Sequence, residues 1–285
     1  INELRSEGIN VSLKSKITLS PLDQEMSLIQ KDSITSFQNL IADILLVSDN
    51  SASNVLIDFI GYNHFNAKMN QAGFNKTYLN HKFSPDPNYS IDWEIKTMFN
   101  DLISSNEERD IVTADDNILG LKKGEKKFKD GIVELGSLDF SQKNRSSIID
   151  MHNIIKRIIF PSKFDDDNAF NLNVEDYDFL RYWMSRFTYE DLGNKFTTDK
   201  KYFESYNKFF IHGVDTVITN KNIRVYNKIG QAYGTSTDSA YIKNYQDDVE
   251  FFLTATIYTN KNKTINDNVY EYDQIAIPFL SKLSK

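Results

Sequence analysis

Leu46-Val47-Ser48-Asp49-Asn50-Ser51-Ala52-Ser53-Asn54-Val55-Leu56 is a polar break between two apolar helical patterns. Before it, Phe37, Leu40, Ile41, Ile44 and Leu45 recur at helical spacing and predict a helix over about 35–48. After it, Val55, Leu56, Phe59 and Ile60 continue the period, with Ser51 as candidate N-cap and Gly61 as stop. Ser, Asp and Asn all favour helix caps, so capping alone accounts for their presence here. A third short helix is expected around 63–72, ending near Gly73.

Working outward, residues 1–8 read as the tail of a helix stopped by Gly8. Residues 9–34 read as a connector, with Ile17 and Leu19 alternating before Pro21 breaks the pattern. Pro85 and Pro87 open a loop, and Ile91, Ile95, Met98, Phe99 and Leu102 predict a helix. Ser146 is the candidate cap of a helix carrying Ile148 to Ile159, stopped before Pro161, and Val174–Phe187 reads as another. The last third changes period. Ile223–Ile229, Ser239–Ile242 and Val249–Tyr258 are strand candidates, joined by turn residues Gly234, Asn244, Asp247 and Asp248. A helix over Asn268–Leu283, kinked at Pro278, closes the chain. Helices, then a meander, then a helix give an α/β (α+β) class, with helices packed on an antiparallel sheet.

With 285 residues, 40% hydrophobic and 26% charged, the chain can bury a sizeable core. A net charge of -7 opposes nucleic-acid binding, which needs a basic face. The dense run Lys122, Lys123, Lys126, Lys127, Lys129 is interrupted by Glu125 and Asp130 and reads as a solvated loop or hairpin tip. Without cysteine there are no disulfides, thiolate metal sites or cysteine nucleophiles. No apolar run approaches the roughly 20 residues of a transmembrane helix. His64, His81, His152 and His212 lack metal-ligand spacing, and Asp165-Asp166-Asp167 lacks the glycine and distal glutamate of a calcium loop. No metal and no cofactor are expected. Phe251, Phe252, Tyr258 and the cluster Tyr182-Trp183-Met184 read as packing groups.

A second motif lies 180 residues after Ser48: Tyr226-Asn227-Lys228-Ile229-Gly230-Gln231, on the first meander strand. Ser-Asp-Asn between two helices, followed by Lys-x-Gly on a strand with a further strand and a terminal helix after it, resembles class A β-lactamases and penicillin-binding proteins. The resemblance covers residues 1–80 and about 205–285 well and the middle poorly. It implies a β-lactamase/transpeptidase-like fold: an antiparallel sheet flanked by helices, plus a mostly helical subdomain. On that basis 1–34 is the end of the nucleophile's helix and a connector. Residues 35–205 are the helical subdomain with an insertion at about 84–171, and 206–285 the sheet-and-helix part.

In this family a serine attacks a β-lactam or peptide carbonyl and is acylated. The resemblance implies catalytic roles for Ser48, relaying a proton to the leaving nitrogen, and for Lys228, placing positive charge beside Ser48 and the substrate carboxylate. Asn50, Gly230 and Gln231 are the implied substrate-binding residues: Asn50 for the substrate amide, Gly230 for close approach, and the Gln231 N–H for the oxyanion. Asp49 would fix the loop. The implied partner is a small-molecule or peptide substrate, a β-lactam or a cell-wall peptide.

Three departures qualify this. No Ser-x-x-Lys precedes Ser48; the one match, Ser205-Tyr206-Asn207-Lys208, follows it and reads as chance. The chain is therefore expected to be truncated before its nucleophile, exported as part of a longer bacterial protein, and inactive alone. Ile229 replaces the family's threonine. The stretch Thr77–Phe83 lacks the carboxylate that deacylates class A enzymes. The alternative is a non-catalytic binding relative that keeps the fold.

Overall fold

The computed structural model describes residues 1–22, 33–83, 92–97, 110–115, 117–165, 169–191, 193 and 195–285. It is a mixed α/β chain whose sheets are mainly antiparallel. It divides into two compact units. The first comprises Ile1–Ile44, Asp49–Lys68 and Leu79–Asp110; the second comprises Leu45–Ser48, Met69–Tyr78 and Ile111–Lys285.

In the first unit, helix α1 (Asn2–Ser6) precedes strand β1 (Lys16–Pro21), which lies between β2 (Ser33–Ser36) and β3 (Trp93–Thr97) in an antiparallel sheet ordered β2-β1-β3. Three further helices follow β2: α2 (Phe37–Val47), α3 (Asn50–Ile60) and α4 (Tyr62–Gln71); the last residues of α2 and α4 count with the second unit. Ile17, Leu19, Phe37, Leu40, Val55, Trp93 and Ile95 form the core. The helix expected through Ile91–Leu102 is corrected here. Trp93, Ile95 and Thr97 alternate inward as β3 and pair with β1. A period of two with a β-branched centre won over the helical reading of a short apolar run. Ile91, Met98, Phe99 and Leu102 lie outside the described residues, as do Pro85 and Pro87. Lys82 is buried in this unit, its Nζ 2.7 Å from Asp58 and 2.6 Å from Asp92.

The second unit holds the meander β8 (Ile223–Ala232), β9 (Thr235–Asn244) and β10 (Val249–Tyr258), antiparallel in the order β10-β9-β8. One face carries a core of Phe209, Phe210, Ile211, Val225, Ala240, Ile242 and Leu280. The other packs Tyr241 with Ile155 and Ile159 of α5 (Ile148–Ile159), and with Met184 of α6 (Val174–Met184). The basic run is not a loop. Lys122–Lys123 is a strand, β4, and Lys126–Lys129 another, β5, which pairs with β6 (Ile132–Leu135) and, in parallel, with β11 (Thr264–Ile265). β4 pairs with β7 (Leu138–Asp139). Gly124 makes the bend between β4 and β5 at φ +76°, where a Cβ would sit 2.7 Å from Ile265 Cγ1. The closing helix is shorter than expected. A π-turn over Tyr272–Ala276 leads into α7 (Ile277–Leu283), so Pro278 sits in the first turn, where its missing N–H costs nothing, and makes no mid-helix kink.

Two caps shift by one or two residues. Asp49, not Ser51, caps α3 by accepting the Ala52 N–H at 2.7 Å. Ser147, not Ser146, caps α5 through the Asp150 N–H at 3.0 Å.

Candidate active site

Ser48 follows the end of α2 with φ 57°, in the left-handed region. That turn breaks the helix; Asp49 then opens α3. Lys228 lies mid-strand on β8. Strand alternation puts Tyr226, Lys228 and Gly230 on one face, and buried Val225 and Asn227 on the other. Within the second unit, Lys228 Nζ donates to Ser48 Oγ at 2.6 Å and to the Ile229 carbonyl at 2.7 Å. Two residues 180 apart in sequence thus share a short charge-assisted hydrogen bond. Burial lowers the Lys228 pKa to about 8, only partly opposed by the charge of Asp238.

The remaining predicted residues fall as follows. Gly230 is exposed on β8, and a Cβ there would meet nothing within 4 Å, so the protein itself leaves that space open. Gln231 is exposed, its Nε2 donating to Ser236 Oγ at 3.2 Å. Ile229 points to the opposite face and packs on the Phe210–Leu280 core, so its side chain is a core group. Asn50 is exposed at the first position of α3 in the first unit. The Ser205–Lys208 match is not a dyad: Ser205 Oγ donates to the Asp215 carbonyl, and Lys208 Nζ donates elsewhere.

Sequence reasoning missed two arrangements. The register sets Lys228 opposite Ser239 and Ser239 opposite Thr254. Ser239 Oγ and Thr254 Oγ1 are 2.8 Å apart, and His152 Nδ1 of α5 is 3.2 Å from Thr254 Oγ1. This polar row runs across the Lys228 face. The alternating hydroxyls Thr235, Thr237 and Ser239 were its visible signal. On the opposite face, fully buried Lys208 donates to the Met184 carbonyl at 2.6 Å and to Asn227 Oδ1 at 2.7 Å. Asn227 in turn donates to Asp238 at 2.8 Å. Burial lowers the Lys208 pKa and raises that of Asp238, while the attraction between them opposes both shifts.

The model of the β-lactamase enzyme family matches residues 5–276. The chain belongs to the β-lactamase enzyme family. This is the family that Ser48-Asp49-Asn50 and Lys228-Ile229-Gly230 resemble. Among solved structures, the chain is similar to a β-lactamase from Sphaerobacter thermophilus DSM 20745, at 13% identity and TM-score 0.45, over 90% of this chain and 68% of that one. It is similar to PBP-A at 13% identity and TM-score 0.48, over 99% of this chain and 71% of that one. A mutant PBP-A in an acyl-enzyme complex with penicillin G matches at 13% identity and TM-score 0.46, over 92% and 70%. No curated protein matches it. Among the described residues no helix is long and apolar enough to cross a membrane.

Proposed function

We propose that this member of the β-lactamase enzyme family supplies the proton-relay and cation half of a serine acyl-transfer site. Its substrate is a β-lactam, a cell-wall peptide or a related amide or ester. The observation that carries the reading is the 2.6 Å hydrogen bond from Lys228 to Ser48. In this scheme a serine Oγ attacks the carbonyl carbon and the C–N or C–O bond breaks. Ser48 hands a proton to the leaving atom and is reprotonated from the nucleophile's side, while the Lys228 ammonium holds the negative charge nearby. Gly230 would let the substrate approach, and the Gln231 N–H would bind the oxyanion. No Ser-x-x-Lys precedes Ser48 in this sequence, so the acylated serine is assigned to none of these residues.

Turnover is slow in this reading. Residues Thr77–Phe83 carry no carboxylate to activate a deacylating water. Thr77 is committed to Ser146 and Asp150, and Lys82 to Asp58 and Asp92. The substrate class implies an exported protein of a bacterial envelope. Labelling of the protein as it occurs in the cell with a fluorescent penicillin tests the proposal: a long-lived label is expected, formed about 10²–10³-fold more slowly in Lys228→Met. Absence of label with both the penicillin and a fluorophosphonate, or labelling indifferent to Lys228→Met, overturns it. The second reading, a binding relative without chemistry, is favoured by Ile229, whose side chain serves the core and offers no hydroxyl; it predicts that first negative result.

A further inference from the structure

The face that carries Lys228 continues towards the β8–β9 turn as a strip of hydroxyls. Alternation keeps Gly230 and Ala232 on the Lys228 side. The register sets Thr237 and then Thr256 beside Gly230, and Thr235 and then Tyr258 beside Ala232. Thr237 Oγ1 donates to Thr256 Oγ1 at 2.8 Å. At the end of the strip Lys123 of β4 comes in. Its Nζ donates to Thr235 Oγ1 at 3.0 Å and lies 5.1 Å from the Tyr258 ring centre and 5.5 Å from that of Phe140. Tyr233 of the turn braces Phe140 edge-on, the ring centres 5.1 Å apart.

Among the described residues no carboxylate forms an ion pair with Lys123. Neighbouring acids are engaged: Glu125 pairs with Lys263, and Asp139 accepts the Ser141 N–H. Burial lowers the Lys123 pKa and no acid opposes it. An ammonium drawn out of water onto one hydroxyl and two ring faces is costly without a counter-charge.

We propose that Lys123, oriented by Thr235, is an anion subsite that selects substrates bearing a carboxylate distant from the bond that breaks. The proposal deepens the acyl-transfer reading and rests on it for the identity of that bond. Lys228 and Ala232 are four residues apart, so the strand between Lys228 and the position beside which Thr235 receives Lys123 is about 13 Å long at ~3.3 Å per residue. The open space over Gly230 lies between them. A ligand with a reactive carbonyl at one end and a carboxylate at the other fits this layout; a neutral, compact one leaves Lys123 unpaired.

The test compares N-glutaryl-alanyl-alanine with N-pentanoyl-alanyl-alanine, which differ only in the far carboxylate, for binding to the native protein. The glutaryl peptide is expected to bind about tenfold more tightly, as one charge-assisted hydrogen bond allows. It should shift the Thr235 and Tyr258 amide resonances, and Lys123→Met should erase the tenfold ratio. Equal affinities in the wild type, shifts confined elsewhere, or a ratio that survives Lys123→Met overturn the subsite. The wild-type shifts decide the matter even if the variant folds poorly. Lys228→Met should weaken both peptides alike and keep the ratio. A ratio lost there and kept in Lys123→Met moves the anion to Lys228, overturning the subsite but not the hydrolase reading. A Lys123-dependent ratio in a protein that takes no penicillin label keeps the subsite and discards that reading.

Discussion

Lys208 and Lys228 reach the two faces of one strand, and both are lysines whose pKa burial lowers. Their partners differ. Lys208 is sealed, its donors fixed on a backbone carbonyl and an amide oxygen, with Asp238 close enough to stabilise its charge. Lys228 spends one donor on a serine hydroxyl beside an open stretch of strand. A depressed pKa is therefore common to both lysines and does not tell them apart; the identity of the acceptor and access to it do. Lys208 holds β8 to the segment before it, and Lys228 joins that strand to Ser48.

The largest effect that would sharpen this contrast is on stability. Lys208→Ala strips the Met184 carbonyl and Asn227 Oδ1 of their donor and removes one of the two lysine charges that interact with Asp238, and is expected to cost about 3–5 kcal/mol in denaturant unfolding. The contrast breaks if Lys228→Met costs as much. Next comes rate: Lys228→Met is expected to slow penicillin acylation of the native protein by about 10²–10³-fold, roughly 2.7–4 kcal/mol of barrier. Stopped-flow labelling measures this, and Lys228→Arg, which keeps the charge, should recover part of the loss.

The pH dependence follows with a definite sign. In the proposed role Lys228 acts as a cation, so acylation is expected to fall as pH rises through about 8. Its folded pKa lies below the unfolded value near 10.4, so between those values the unfolded chain binds the extra proton. This group's contribution to stability therefore rises with pH across that window. An acylation rate that climbs through pH 8 would make Lys228 a base instead. The smallest effect concerns a residue whose work is structural alone: Asp49→Ala removes the α3 cap and should cost about 1 kcal/mol, read as a lower unfolding midpoint.

Much of this was legible in the sequence because its signals are local. The α2–α3 break, the three meander strands and the spacing from Ser48 to Lys228 rest on periodicity and motif order. What was not legible depends on distant partners. β3 read as a helix because its strand character is fixed by pairing with β1, more than 70 residues earlier in the chain. Lys208 looked like the end of a chance motif, since Asn227 and Asp238 lie 19 and 30 positions further on. Lys123 looked like one solvated lysine among five; only the approach of Tyr258 and Thr235 distinguishes it.

The backbone at Ser48 bears on how this position can drift through mutation. At φ 57° the residue occupies a region that glycine enters freely, asparagine and aspartate tolerate, and β-branched side chains rarely enter. Random change at Ser48 is thus filtered by conformation, whatever the hydroxyl does. Threonine, the one other aliphatic hydroxyl, is among the replacements the joint resists. A lineage that loses this serine has no conservative route back through its nearest chemical substitute, and glycine is the cleanest experimental deletion of the hydroxyl.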